Sequence, residues 1–249
     1  MPDYGVADIR PVLDSWAAFF AGLVIPALPW RDFGASPQAM PIEPLWSYSR
    51  RVPGGTAYTL ATSDEAARIG RLVDPEKAQD LLHARHLMRE LVAGHAGLEA
   101  GSVSLKVFDD APPKAEGMEG LAISWSRSGP HALAALLPSG RIGADIEQVK
   151  PVNTKAMLDM IALPHEREAI GAGSEADALL SFYRLWCAKE AVLKWRGTGL
   201  RGGAKTVSVP ADFITGAADA ADLVEAGMRV RLRIMAAAPD CVAVIAFSK

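Results

Sequence analysis

Cysteine is scarce in this chain, which has only Cys187 and Cys241 among its 249 residues. Two such widely separated cysteines provide neither the disulfide framework of a small secreted domain nor the paired spacing of a structural zinc site. Half of the residues are hydrophobic, which is enough for one large core or two small ones. We therefore expect an ordinary globular protein of the cytoplasm.

The chain also lacks a net positive charge and long apolar runs. The formal net charge is -3, so we expect no general affinity for nucleic acid, and any phosphate must be bound by locally placed lysines and arginines. The apolar stretch at residues 16–30 is too short to span a bilayer and contains Pro26 and Pro29. We expect it to be core or packing surface and predict no membrane partner.

One alternating segment carries two carboxylates on the same face. From Arg141 to Val149 apolar and polar residues alternate, which predicts a strand, and Asp145 and Glu147 share one side of it. Neighbouring carboxylates repel each other unless a cation lies between them, and Mg²⁺ prefers such oxygen ligands. The alternative is a strand face that is simply solvated.

A second segment predicts a long helix between Ser174 and Gly197, with apolar residues at helical spacing. Glu190 lies inside the apolar stripe and Lys194 follows one turn later, so this carboxylate needs a partner if the stripe is buried. The alternative is a surface glutamate paired with Lys194. If the helix packs over the strand, three carboxylates converge. Positive charge for a phosphate would come from Lys189, Lys194, Arg196, Arg201 and Lys205, which together predict Mg²⁺-assisted phosphoryl-type chemistry.

These motifs, a Gly-x-Asp-Ile-Glu strand at 143–147 followed by a Trp-x-x-Lys-Glu-Ala-x-x-Lys helix at 186–194, resemble those of the surfactin-synthetase-type 4'-phosphopantetheinyl transferases. The resemblance is closest from about residue 121 to 200. It implies an α/β (α+β) fold of two similar subdomains related by a pseudo-twofold axis, residues 1–140 and 141–249. It also implies a monomer with the active site between the halves.

The resemblance further implies an activity. Such enzymes move the phosphopantetheine arm of coenzyme A to a serine of an acyl, peptidyl or aryl carrier protein and release adenosine 3',5'-bisphosphate. By position, Asp145, Glu147 and Glu190 would bind Mg²⁺, and Glu190 would also accept the serine proton, directly or through a water. Lys189 and Lys194 would neutralise charge on the phosphates. Carrier proteins are typically acidic, so the basic run after Glu190 is also a candidate docking edge.

Coenzyme A contacts are implied for residues in the first half. Arg85 matches a family arginine that contacts a phosphate; the alternative is a solvated helix face. Ser124 matches the serine of the family's Ser-His pair, but Trp125 replaces the histidine that meets the 3'-phosphate. An indole has no cationic form, so we predict altered coenzyme A recognition unless Arg127 compensates. Lys114 stands near the family's Gly-basic-Pro turn and is expected to bind phosphate from a shifted position.

Two other functions fit the same residues. A degenerate module would bind coenzyme A or a carrier protein without transfer, and Trp125 favours this alternative. A Mg²⁺-dependent pyrophosphate hydrolase would use water in place of the serine. Carrier-free release of adenosine bisphosphate would indicate the hydrolase.

Elsewhere, patterns predict strands and helices in both halves. An irregular segment is expected up to about residue 53, and His83 and His86 are expected on the surface. The arginines of the strand at 228–236 are expected on a solvated face. Further strands are predicted at 57–62, 103–108, 121–126, 131–137, 207–209 and 241–247, and helices at 75–94, 154–160 and 164–170.

Overall fold

The computed structural model describes residues 43–52, 54, 58, 62–108, 111–199 and 203–249. These residues form helices and antiparallel sheets, which confirms the predicted α/β fold. The predicted apolar packing segment at 16–30, Arg201 and most of the predicted strand at 57–62 lie outside the described residues. No helix in the described ranges is long and apolar enough to cross a membrane.

Six helices and nine strands are present in the described part of the chain. The helices are α1 (Ser63–Ile69), α2 (Pro75–Ala96), α3 (Thr154–Ile161), α4 (Pro164–Gly171), α5 (Glu175–Arg196) and α6 (Ala211–Thr215). The strands are β1 (Leu45–Arg50), β2 (Leu105–Lys106), β3 (Lys114–Ala115), β4 (Ala122–Ser128), β5 (His131–Leu137), β6 (Arg141–Gln148), β7 (Ala220–Glu225), β8 (Met228–Met235) and β9 (Cys241–Ser248).

The strands form two main sheets and one short hairpin. One sheet has the order β1-β5-β4, the other has the order β6-β9-β8-β7, and β2 pairs with β3. The 22-residue helix α2 packs on one face of strand β5, against Ala132, Ala134 and Leu136. On the other face of β5, Leu133 and Leu137 pack against β6 and β9. The 22-residue helix α5 covers the far face of the four-stranded sheet. The sheets are therefore stacked between two long helices.

Helix α5 begins and ends where its local sequence predicts. The Ser174 hydroxyl accepts a hydrogen bond from the Asp177 amide in a capping box, which satisfies amides that have no partner within the helix. Gly197 follows the last turn with φ +77°, a left-handed conformation that glycine adopts without steric cost. These ends fix the register at which Glu190 and Lys194 face the sheet.

Several predictions of local structure are wrong. Val207 and Val209 are buried but lie outside any strand. Their side chains pack into the hydrophobic core from a loop. The segment before residue 53 is not wholly irregular, since β1 pairs with β5. His83 is buried and bonds to Ser49 Oγ at 3.1 Å, whereas His86 is surface-exposed as predicted.

Other boundaries differ only in part. The strand predicted at 103–108 is reduced to β2, and α1, α6 and β7 were not predicted. The arginines of β8 form the predicted solvated face, where Arg229 pairs with Asp222 and Arg233 with Glu43. The predicted boundary between residues 140 and 141 falls in the turn between β5 and β6, and the division into two subdomains stays a prediction.

Candidate active site

The candidate site is built on β6 and the central turns of α5. Gly143 lies where these elements touch: a Cβ at this position would be 2.0 Å from the Ala191 carbonyl oxygen and 2.5 Å from the Trp195 amide nitrogen. Only glycine permits so close an approach of strand and helix backbones. Asp145 and Glu147, at the next positions on the same face of β6, are thereby held against Glu190.

Serines of β4 bond to the carboxylates of β6. Ser126 Oγ donates to Asp145 Oδ1 at 2.8 Å, and Ser128 Oγ donates to Glu147 Oε2 at 2.6 Å. Ser124, on the same face of β4, accepts a bond from the Ala144 amide at 2.9 Å. This serine ladder, Ser124, Ser126 and Ser128, therefore orients the two carboxylates from the neighbouring sheet. The ladder was missed in the sequence, although its spacing of two residues was a visible signal.

Lys194 completes the contacts of Asp145. Its ammonium group donates to Asp145 Oδ1 at 2.7 Å, to Ser126 Oγ at 3.0 Å and to the Ala144 carbonyl at 2.9 Å. Asp145 is buried, and its Oδ2 atom has no hydrogen-bond partner among the residues that the structure describes. The Cys187 thiol, a weak donor, lies beside the same carboxyl group. A buried carboxylate oxygen without a strong donor is suited to a cation.

Glu190 lies close enough to the other two acids to be influenced by them. Burial, then the charge of Asp145 and that of Glu147, raises the pKa of Glu190 to about 7, against the lowering effect of Lys194. Burial is also the main cause that raises the pKa of Glu147, opposed by hydrogen bonds from Ser128 and Trp186. The three predicted ligands are therefore brought together as an electrostatic group.

These residues fit a divalent cation by chemistry more closely than by spacing. The oxygen donors and the unpartnered Oδ2 suit Mg²⁺. However, the carboxylate oxygens of these three described acids do not all lie within 4.8 Å of one another. The three carboxylates would therefore have to move closer together to bind one ion.

Lys189, predicted to neutralise phosphate, has another environment. It is 1% exposed, and its ammonium group bonds to Glu166 at 2.8 Å, to the Val207 carbonyl at 2.7 Å and to the Ala204 carbonyl at 3.0 Å. An ammonium group has three N–H donors, and these three acceptors match them. Lys189 therefore anchors α4 and the 204–207 turn to α5 in this structure.

Arg85 is also buried. Its side chain forms an ion pair with Glu65 at 3.2 Å, and Arg89 bonds to the same carboxylate at 2.7 Å. The alternative of a solvated helix face is therefore wrong for Arg85, which is buried and paired with Glu65 of α1. Contact of Arg85 with coenzyme A stays a prediction.

Two adjoining cavities lie beside Lys194, the partner of Asp145. A cavity of about 410 Å³ is lined by Lys194, Ser124 and Trp125, and one of about 740 Å³ is lined by basic side chains, Lys114 among them, and by Glu116 and Glu119. Phe108, Pro112 and Pro113 contribute to both walls. The ring of Trp125 packs on the core beneath α2, and the next residue on its face of β4 is Arg127. The cavities form a groove that leads from Lys194, the partner of Asp145, to an area where Lys106, Lys114, Arg141 and Arg196 outnumber Glu116 and Glu119.

The ionisation of Glu190 should be visible in the stability of the metal-free protein. An acid with a folded-state pKa of about 7 and an unfolded value near 4.3 stabilises the fold below the unfolded value, and this contribution is lost as pH rises through about 7. We expect Glu190→Gln to melt like the wild type at about pH 4.5 and roughly 2–8 °C higher at pH 8, which corresponds to about 1–2 kcal/mol after allowance for solvent screening. Thermal melts in EDTA test this, and equal melting temperatures at pH 8 would contradict it.

Comparison with known proteins finds similarity to one enzyme superfamily. Residues 141–221 match the profile of the 4'-phosphopantetheinyl transferase superfamily. The chain is 29% identical over 163 residues to 4'-phosphopantetheinyl transferase HetI of Nostoc sp., a match covering 63% of this chain and 69% of the relative. It is also 29% identical over 160 residues to the putative 4'-phosphopantetheinyl transferase slr0495 of Synechocystis sp., covering 63% of this chain and 64% of that relative, less than two thirds of its length. The segment that contains β6, α5 and the three carboxylates thus matches the 4'-phosphopantetheinyl transferase superfamily, in agreement with the resemblance of the two sequence motifs.

Proposed function

We propose that this protein transfers the 4'-phosphopantetheine group of coenzyme A to a serine of an apo carrier protein, as a surfactin-synthetase-type enzyme. One observation carries the proposal. Within the segment that matches the superfamily, the charges of Asp145 and Glu147 act on Glu190, whose pKa is raised to about 7, and a buried Asp145 oxygen lacks a partner among the described residues. Carboxylates arranged in this way are suited both to bind a divalent cation and to accept a proton.

Asp145, Glu147 and Glu190 would hold Mg²⁺ beside the pyrophosphate of coenzyme A. When bound, the ion supplies charge neutralisation for the phosphates. The serine ladder and Lys194 keep Asp145 and Glu147 in place for this role. Because Lys194 also lines the smaller cavity, its charge acts on a phosphate bound there.

Glu190 would be the base for the incoming serine. Burial and the neighbouring acids raise its pKa to about 7 in the metal-free protein, and a bound cation would lower this pKa, so that Glu190 would be ionised and able to accept a proton near neutral pH. The serine hydroxyl gives its proton to Glu190, directly or through a water, and its oxygen attacks the phosphorus next to pantetheine. The bond from that phosphorus to the bridging oxygen breaks, and adenosine 3',5'-bisphosphate leaves with the bridging oxygen.

The groove would hold the rest of coenzyme A. Ser124 and Lys194 border it near the acids, and Lys114 lies exposed in the larger cavity with its Nζ 6.0 Å from the centre of the Phe108 ring. Lys114 is therefore our candidate for the 3'-phosphate in place of the family histidine. Lys189 is assigned a positioning role for α5, since its donors bond within the protein.

The partners and setting follow from this reaction. The carrier would be an acyl, peptidyl or aryl carrier protein, and the acidic surface typical of carriers would complement the basic side of the groove. We propose a monomer in the cytoplasm, a compartment in keeping with two free cysteines.

The direct test is intact-mass measurement of a promiscuous apo carrier protein incubated with this protein, coenzyme A and Mg²⁺. We expect a mass gain of one phosphopantetheinyl group that EDTA prevents. No gain across several carrier types, with coenzyme A still bound, would favour the degenerate binding module. Release of adenosine bisphosphate without any carrier would indicate the hydrolase.

Recognition of the 3'-phosphate gives a sharper prediction. Without the family histidine, we expect coenzyme A to be preferred over 3'-dephospho-coenzyme A by less than about tenfold in kcat/KM. A hydrogen bond from a charged histidine to the 3'-phosphate would typically give a preference of more than about tenfold. Lys114→Gln is expected to remove the remaining preference. Lys155→Gln is the matched control, because Lys155 is exposed on α3 and lines neither cavity, and it should leave the preference unchanged. A strong preference that survives Lys114→Gln would refute the role of Lys114.

A further inference from the structure

Three metal-ligating side chains meet at a second place in the fold. His131 is the first residue of β5, Cys241 is the first of β9, and Asp240 precedes it. Their ligand atoms all lie within 4.8 Å of one another. His131 Nε2 is 4.0 Å from Asp240 Oδ2, and Cys241 Sγ is 3.8 Å from Asp240 Oδ1. None of these residues belongs to the candidate active site.

His131 presents a buried and unpartnered nitrogen to this group. The residue is 1% exposed, and its Nε2 has no hydrogen-bond partner among the described residues. Its Nδ1 lies 2.8 Å from the Tyr48 hydroxyl. If Nδ1–H donates to that hydroxyl, a lone pair on Nε2 faces Asp240 and Cys241. Burial lowers the pKa of His131, so the ring is neutral near pH 7, as a metal ligand must be.

The outer contacts match those of metal-binding side chains. A ligating histidine usually donates its second N–H to a nearby acceptor, and a ligating carboxylate is itself hydrogen-bonded. Tyr48 would serve His131 in this way in the tautomer with a proton on Nδ1, and Gln148 Nε2 donates to Asp240 Oδ2 at 2.8 Å. Arg50 and Lys150 add positive charge near His131, which the Asp240 carboxylate and a Cys241 thiolate would offset.

We propose that His131, Asp240 and Cys241 bind a divalent transition-metal ion, with Zn²⁺ as the preferred ion. One nitrogen, one sulfur and one oxygen ligand suit Zn²⁺ and not Mg²⁺. In a tetrahedral shell such ligands lie about 3.3–3.6 Å apart, so spacings that are now at most 4.8 Å would have to shorten by up to about 1.5 Å. The Asp240 side chain is 51% exposed, and it would move inward to bring one oxygen close to both His131 Nε2 and Cys241 Sγ. The fourth position is left for water.

Such an ion would join the two main sheets. His131 belongs to the three-stranded sheet and Cys241 to the four-stranded sheet. Binding to the folded protein alone stabilises it in proportion to the logarithm of metal concentration. At a Zn²⁺ concentration about 100 times Kd, the melting temperature should rise by roughly 5–10 °C.

Titration with Co²⁺ tests the site without reference to transfer activity. We expect one equivalent to produce a near-ultraviolet thiolate-to-cobalt band in the wild type. Since the chain has only two cysteines, loss of the band in Cys241→Ser assigns the thiolate. Asp240→Asn should weaken Co²⁺ binding by about 100-fold or more, and Tyr48→Phe by about tenfold.

Asp145→Asn is the control for binding at the carboxylates of the candidate active site, and it should retain the band. Asp240 and Cys241 are at least partly exposed, so their variants are expected to fold. Absence of the band in the wild type would overturn the proposal. So would a band that persists in Cys241→Ser, or Zn²⁺ stabilisation that is lost in Asp145→Asn but kept in Asp240→Asn.

Discussion

Asp145→Asn is expected to reduce phosphopantetheine transfer by roughly 10²–10³-fold or more. The change keeps the shape of the side chain but removes the charge that the buried Oδ2 offers to a cation. It also removes the ion pair with Lys194 at 2.7 Å. Coenzyme A binding measured without metal should change little, because the cavity walls remain intact.

The control for this variant is Asp222→Asn. Asp222 is an aspartate on β7 that pairs with Arg229 on the hairpin surface, and its loss should leave transfer unchanged. Transfer is measured by intact mass of the carrier, and binding by calorimetry in EDTA. Full activity of Asp145→Asn would remove Asp145 from the metal site.

Gly143→Ala is expected to destabilise the fold by about 3 kcal/mol and to abolish most transfer. The new methyl group would lie 2.0 Å from the Ala191 carbonyl oxygen, so β6 and α5 must move apart. Since Asp145 and Glu147 are on β6 and Glu190 is on α5, their separation grows by the same movement.

Gly94→Ala in α2 is the matched control. No atom lies within 4 Å of a Cβ at Gly94, and alanine is favoured over glycine in a helix by about 0.5–1 kcal/mol. We therefore expect equal or higher stability and normal transfer. Urea denaturation and the mass assay measure both. If Gly143→Ala unfolds at the same urea concentration as the wild type, the close approach of β6 and α5 is not required.

The elements that bear the site were predictable because their signals are local. Ser174 and Gly197 mark the ends of α5 within a few residues of the chain, and alternation alone identifies β6. The contacts of the site were not predictable in the same way. Glu166, the partner of Lys189, lies on another helix, and no local pattern reveals which acid a buried lysine will meet.

Polar residues on strands posed the same difficulty. In the sequence, Ser126 and Ser128 look like residues of an ordinary polar strand face. Only the position of β4 beside β6 shows that they bond to Asp145 and Glu147. The valines at 207 and 209 alternate like a strand, yet the Val207 carbonyl accepts a bond from Lys189 instead of a neighbouring strand. The burial of Arg85 depends on Glu65 of α1, a helix that the sequence did not predict.

Because the serine ladder lies outside residues 141–221, the segment that matches the superfamily is not structurally self-contained. Residues 141–221, which match the superfamily profile, contain all three carboxylates but none of the serines that orient them. The face of β6 and β9 that packs on Leu133 and Leu137 would also become exposed in an isolated C-terminal fragment. An exchange of this segment between relatives should therefore include β4 and β5, because the carboxylates of β6 are oriented by serines of β4.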